Sequence, residues 1–328
     1  MKPKITFSNI LEIKNKHNMG ITEKKYDTNY KPSKKDIQDF PDLQNGPSNL
    51  INGSPVFIQH VGSHNFRLPI KFKKKNGEIV QLETRVTGTV SLDANKKGIN
   101  MSRIMRTFYK FKDDIIFDNI ENILSSFKQE LDASRAKLYL NFSYPIILNS
   151  LRSNNEGYQY YNVSYEADID EFEKVKKKFH FDFVYSSACP CSYELSEHAR
   201  EHRNKATVAH SQRSVARISI ETDDNMFIED IHLLCANALK TETQVMVKRE
   251  DEMAFAELNG SYLKFVEDAV RLIFKELNSH KNILDFRIIC SHQESLHSHD
   301  AVSVLLAPNS KFNCDISHET WSSLIHKS

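Results

Sequence analysis

The sequence predicts an α+β protein made of two similar halves, each running strand, strand, helix, helix, strand, strand. Three observations carry this. The chain has 328 residues, too many for one ordinary domain and suited to two. Val80, Leu82, Thr84, Val86, Val90 and Leu92 share one parity, as one face of a strand requires. Phe117, Ile120, Ile123, Leu124, Phe127 and Leu131 fall on one stripe of a helix.

The elements follow in order. Residues 55–75 and 78–92 read as strands. A short helix is expected near Met101–Phe111, before the longer one at 117–131. Alternation returns at Leu138, Leu140, Phe142 and Tyr144, then over 157–168. After a charged stretch at 168–178 the order recurs. Strands are expected at 178–187 and 205–221, with Ala216, Ile218 and Ile220 on one face. A helix follows at 226–240, then a longer helical region at 251–278 that Asn259-Gly260 interrupts with a stop signal. Strands close the half at 284–293 and 300–307. The expected domains are therefore 49–172 and 173–328. Residues 1–48 stand apart. Within them, residues 1–40 hold nine Lys, no Arg and five acidic residues, with few paired apolar positions, and read as a polar, flexible arm.

Composition narrows the function. Lys+Arg is 44 against 43 Asp+Glu, which argues against a protein that coats nucleic acid or an anionic membrane. No stretch approaches the ~20 apolar residues of a membrane helix. The first residues lack the apolar core of a signal peptide. Five cysteines (Cys189, Cys191, Cys235, Cys290 and Cys314) without that signal read as reduced thiols in the cytoplasm. A special cysteine is then a metal ligand or a nucleophile.

The unusual residues gather in the second half. Cys189-Pro190-Cys191-Ser192 follows a strand; either thiol can meet a metal, or both can sit as small residues in a turn. His198 and His202 would share a helix face, as a metal pair or as part of a solvated surface. His210-Ser211-Gln212-Arg213-Ser214 is a polar run at the entrance to an apolar strand, costly to bury without partners. Lys248-Arg249-Glu250-Asp251-Glu252 reads as a charged helix start. Phe265-Val266-Glu267-Asp268 places two carboxylates beside an apolar stripe. Glu294-Ser295-Leu296-His297-Ser298-His299 would put both imidazoles on one face of an extended segment. Thiolate, imidazole and carboxylate together suit Zn²⁺, Fe²⁺ or Mn²⁺. No glycine-rich phosphate loop is present, which argues against a P-loop or Rossmann enzyme.

These motifs, in this order and with Lys97-Gly-Ile-Asn-Met-Ser-Arg103 in the first half, resemble GTP cyclohydrolase of type IB over roughly residues 50–307. The resemblance implies a tunnelling fold, or T-fold. It consists of two tandem units, each an antiparallel four-stranded sheet with two helices on one face, which assemble into oligomeric β-barrels. It further implies a homotetramer with active sites between subunits. The implied reaction is metal-dependent conversion of GTP to 7,8-dihydroneopterin triphosphate and formate, the entry to folate and tetrahydropterin synthesis. One divalent metal per site, Zn²⁺, Mn²⁺ or Fe²⁺, would have Cys189, His210, Glu252 and His297 as its ligands.

By the same resemblance Glu267 would hold the guanine, accepting from N1–H and N2–H together. His299 would move protons, with His210 as the alternative. Arg103, Lys248, Arg249 and Arg213 are candidates for the triphosphate on charge alone. The chain departs from the family pattern at Asn100, where His is common, and in a longer segment between Cys191 and His210. Two rival classes stand beside this reading. One is a T-fold nitrile reductase, in which Cys189 would be a covalent nucleophile. The other is a non-catalytic purine-binding T-fold protein with an incomplete metal set.

Overall fold

The computed structural model describes residues 26–222 and 226–324. Residues 1–25, most of the expected polar arm, lie outside the described residues. In residues 26–43 the chain forms a short helix, α1 (Lys34–Asp39). Ser33 and Asp36 cap it reciprocally: the Ser33 hydroxyl accepts from the Asp36 N–H, and the Asp36 carboxylate accepts from the Ser33 N–H.

Residues 44–324 build one open antiparallel sheet of eight strands, each paired with its sequence neighbour. The strands are β1 (Ile58–Lys73), β2 (Ile79–Leu92), β3 (Ala136–Asn149), β4 (Glu156–Ile169), β5 (Val175–Ala188), β6 (Ser211–Thr222), β7 (Ile283–His292) and β8 (Ala301–Leu306). The ladder continues unbroken from β4 to β5, with Val163 opposite Phe181 and Ile169 opposite Val175.

In the first half the expected order holds. Helices α2 (Met101–Tyr109) and α3 (Ile120–Leu131) lie between β2 and β3. Ile120, Ile123, Leu124, Phe127 and Leu131 are buried along one side of α3, while Phe117 falls in a 3-10 turn just ahead of it. Fully burying a side chain such as Phe127 contributes roughly 1.5–3 kcal/mol. Close packing explains Gly88 on β2. A Cβ there would stand 2.8 Å from the Ile104 side chain of α2, closer than real atoms approach. Asp132 ends α3 in the left-handed region, at φ +48°.

In the second half the structure corrects the expected order. Helix α4 (Pro190–Arg203) occupies the segment between Cys191 and His210, so β6 begins at Ser211 rather than near 205. Pro190 sits at its first turn, where a missing N–H costs nothing, and Asn204 closes it at φ +48°. Three helices then follow β6: α5 (Ile228–Leu239), α6 (Arg249–Ser261) and α7 (Val266–Asn278). Asn259 and Gly260 lie inside the last turn of α6, and the break comes at Tyr262–Phe265. Gly260 keeps a negative φ, so it does not form the left-handed stop that its position suggested.

Strand parity separates the sheet faces. Phe181, Phe183, Ala216, Ile218, Ile220 and Ile288 meet the helices in the main core. Val184, Val215 and Ile289 face the other way and pack with Leu324, Trp321 and Ile316. The chain after β8, including helix α8 (His318–Ser323), thus covers part of the second face. Phe312 there is flanked by Lys178 Nζ and the Arg287 guanidinium, 5.5 and 5.6 Å from its ring centre. This terminal helix is too short and polar to stand out in the sequence.

Candidate functional site

Cys189 is the hinge between β5 and α4, and its backbone N–H donates to the His210 carbonyl at 3.2 Å. The two motifs separated by α4 therefore begin at the same place. Ser192 strengthens the junction, accepting the His210 N–H at 3.2 Å. Behind it, Gln212 is buried; its Nε2 donates to Ser187 Oγ at 2.9 Å and to Glu294 Oε1 at 3.4 Å. Ser187 in turn pairs with Ser214 at 2.8 Å. His210 Nδ1 lies 3.2 Å from Gln212 Oε1 and 3.5 Å from Glu294 Oε2.

Glu294 Oε2 is buried and has no hydrogen-bond partner among the described residues. A buried, unsatisfied carboxylate oxygen is costly, and one beside an imidazole is a natural seat for a cation. Sequence reasoning quoted Glu294 within its motif but gave it no role. Adjacency to His210 across β6 and β7 depends on register, which parity alone does not supply.

The other candidates stand apart within one chain. Glu252 is exposed on the first turn of α6. The loop after α6 returns to β5, where the Lys264 N–H donates to the Ala188 carbonyl at 3.4 Å. At 1.5 Å per residue, Glu252 is about 13 Å along the helix from its Ser261 end, where that loop begins. His297 and His299 stack with ring centres 4.9 Å apart, on the same side as expected, but in an exposed bend rather than a strand. Among the described residues, no three His, Cys, Asp or Glu side chains come close enough to hold a metal. Cys, His and Glu are donor types that suit a divalent cation.

Glu267 is exposed on the first turn of α7, next to Asp268, whose carboxylate accepts from the Phe265 N–H at 3.1 Å. Lys248 and Arg249 are exposed at the start of α6. Arg103, on α2, donates to the Glu130 carbonyl at 3.1 Å. Arg213 is exposed on β6 with the parity of Val215, whereas Gln212 has the parity of the main core, so Arg213 stands on the opposite face from Gln212. Cys191 is exposed, one residue into α4 beyond Pro190. His198 and His202 lie 4.4 Å apart by ring centres on its exposed side. Asn100 has a local explanation. It caps α2, its Oδ1 accepting from the Ser102 N–H at 3.2 Å and the Ser102 hydroxyl at 2.6 Å.

Two cavities, of about 410 and 770 Å³, lie elsewhere: one near Tyr144 and Phe227, the other over Asp182 and Arg217. None of the candidate residues lines either.

The solved structure of a hyper-thermostable AgUricase mutant matches with a TM-score of 0.50. It covers 81% of this chain and 96% of that one at 8% identity, which speaks for the fold alone. Closer relatives are known by sequence. GTP cyclohydrolase FolE2 of Roseobacter denitrificans is 52% identical over 291 residues, 88% of this chain and 79% of the relative. That of Dinoroseobacter shibae is 55% identical over 271 residues, 81% of this chain and 74% of the relative. The family described as type I GTP cyclohydrolase folE2 matches residues 40–303, which include every candidate residue above. On this coverage and identity, the chain belongs to the type I GTP cyclohydrolase folE2 family.

Proposed function

We propose that this chain hydrolyses GTP at guanine C8, releasing formate and leaving 7,8-dihydroneopterin triphosphate for folate synthesis. The observation that carries the reading is the junction of Cys189, His210 and Glu294 within the matched family span. Cys189, His210, Glu252 and His297 would hold a divalent metal, with Glu294 beside them. When bound, that metal supplies a water activated near neutral pH for addition at C8. Glu267, projecting from the start of α7, accepts from guanine N1–H and N2–H. That bidentate contact fixes which carbon meets the water. His299 carries protons to the ring nitrogen and sugar oxygen that the reaction releases. Lys248, Arg249, Arg103 and Arg213 offer charge for the triphosphate.

The site is completed between copies in this reading. β1 and β8 are the edge strands of the sheet among the described residues, with β1 bridged at Lys71 by Ile115, and an unpaired edge invites pairing with another chain. Two tandem T-fold units closing with other copies into barrels, as a homotetramer, would bring Glu252 of one copy to Cys189 and His210 of another.

The test is formate release from GTP by protein stripped with chelator and refilled with Zn²⁺, Mn²⁺ or Fe²⁺. Metal-dependent formate supports the reading. GTP binding with no formate under any metal would favour the non-catalytic purine-binding alternative, which the absence of a three-ligand cluster among the described residues keeps in play. Co-assembling Cys189→Ala and Glu252→Ala chains tests the shared site. Activity regained in the mixture supports it, and none regained counts against it.

A further inference from the structure

Asp251 is fully buried at the start of an otherwise exposed, charged turn. An ionised carboxylate has about four acceptor positions. All four are used. Oδ1 accepts from the backbone N–H groups of Arg152 and Ser153 at 2.8 and 2.9 Å. Oδ2 accepts from the Ser153 hydroxyl and from the Lys248 N–H, the latter at 2.8 Å. Burial alone would push this carboxyl up. The hydrogen bonds from Ser153, Lys248 and Arg152 outweigh it and hold the group well below the usual carboxylate range.

The partners come from two distant parts of the chain. Lys248 caps α6, while Arg152 and Ser153 form the tip of the β3–β4 hairpin, about a hundred residues earlier. The Arg152 guanidinium also reaches Glu257, further along α6. A helix end normally frays, and an exposed first turn has no packing of its own to hold it. Here the third residue of α6 is bolted to a hairpin of the first half. On either side of it stand Lys248, Arg249 and Glu252.

We infer that Asp251 is a positioning residue for GTP hydrolysis: through Arg152 and Ser153, the β3–β4 hairpin tip holds the Lys248–Glu252 turn in the orientation the reaction needs. The inference rests on reading that turn as part of the GTP site. It gives the first half a task in the chemistry, although nearly all the candidate residues lie in the second. The physical basis is that a charged side chain contributes only where its backbone is fixed; an error of an ångström at a ligand or phosphate contact is enough to lose it.

The test compares Asp251→Asn, Ser153→Ala and Glu252→Ala in the full chain. Asp251→Asn sets an amide N–H against N–H donors, so at least one arm of the bolt opens. Its kcat for formate release and its Mn²⁺ affinity, by chelator competition, should each fall about tenfold or more at a temperature where it remains folded. Ser153→Ala should fall less, in the same direction. Asp251→Asn combined with Ser153→Ala should be no worse than Asp251→Asn alone, because both changes release the same tie. A folded Asp251→Asn with lowered Tm, but kcat and Mn²⁺ affinity within about twofold of the parent, would overturn the inference and leave a purely structural bolt. If Asp251→Asn does not fold, Ser153→Ala decides: a lower Tm with unchanged kcat overturns it equally. Glu252→Ala keeps the two readings apart. Unchanged Mn²⁺ affinity there removes Glu252 from the ligand set, while the kcat of Asp251→Asn still decides the positioning role.

Discussion

Tyr185 Oη and His292 Nε2 stand 2.8 Å apart in the core, two residues before Glu294 on the chain. Burial, with a smaller push from the Lys264 ammonium, drives the His292 imidazole down to about 4, so it is neutral at working pH. Its Nε2 can then accept a hydrogen bond from the Tyr185 hydroxyl, and the pair holds the end of β7 where the Glu294 loop departs. Lys264 is itself buried, donating to Thr241 Oγ1 at 3.0 Å and to the Tyr262 carbonyl, and has no carboxylate partner among the described residues. Burial drives its ammonium down to about 8.

These two groups contribute to the pH dependence of stability, and above the ordinary thiol range the Cys235 and Cys290 thiols, pushed up by burial, act in the opposite direction to Lys264. Between about pH 4 and 6.5 the unfolded chain binds a proton on His292 that the folded chain does not, so stability falls as pH falls through that window. Between about pH 8 and 10.5 the unfolded chain keeps a proton on Lys264 that the folded chain has shed, so this group makes stability rise with pH. Urea unfolding across pH should show the acid slope, and the alkaline contribution of Lys264 should appear as a stability difference between the parent and Lys264→Met that grows in the parent's favour between about pH 8 and 10.5. An alkaline slope unchanged in Lys264→Met would rule out the lysine as its source.

The two cysteines should behave differently. Cys189 is half-buried at the junction with His210, and Cys191 is exposed on α4. Cys189→Ala should abolish metal retention and turnover; Cys191→Ala should be much milder. Equal losses in metal content and formate release would sink the choice of Cys189.

Glu294→Gln tests the orphaned oxygen. If Oε2 is reserved for a cation, the amide should cost about tenfold or more in metal affinity and activity. The amide keeps an oxygen for Gln212, so Tm should change little. Unaltered metal affinity, measured by chelator competition, would show that Glu294 serves His210 and Gln212 alone.

Glu267→Gln separates substrate from metal. The exposed carboxylate at the start of α7 should be needed for guanine and not for the ion. GTP binding, by calorimetry, should weaken by about 1.5–3 kcal/mol, as for a hydrogen bond to a charged group, with metal content intact. A large metal loss would move Glu267 into the coordination shell.

Much of this protein was legible in its sequence. Alternation at Val80–Leu92 and the stripe at Ile120–Leu131 appear where expected because each period matches one buried face. Cys189 and His210 stood out by chemistry, and their backbones pair. The helix face that His198 and His202 would share is there in α4, but its polar residues bury little besides Ser196, so local pattern did not set its bounds, nor the true stop of α6, where Gly260 stays helical. The sequence by itself determined the strands, the main helices and the chemical types at the site. Only the tertiary structure decided which of those types touch. Strand register set His210 against Glu294, and a buried carboxylate at Asp251 tied a hairpin to a helix about a hundred residues away. Such contacts depend on through-space distances after folding, and neither residue type nor periodicity carries that information.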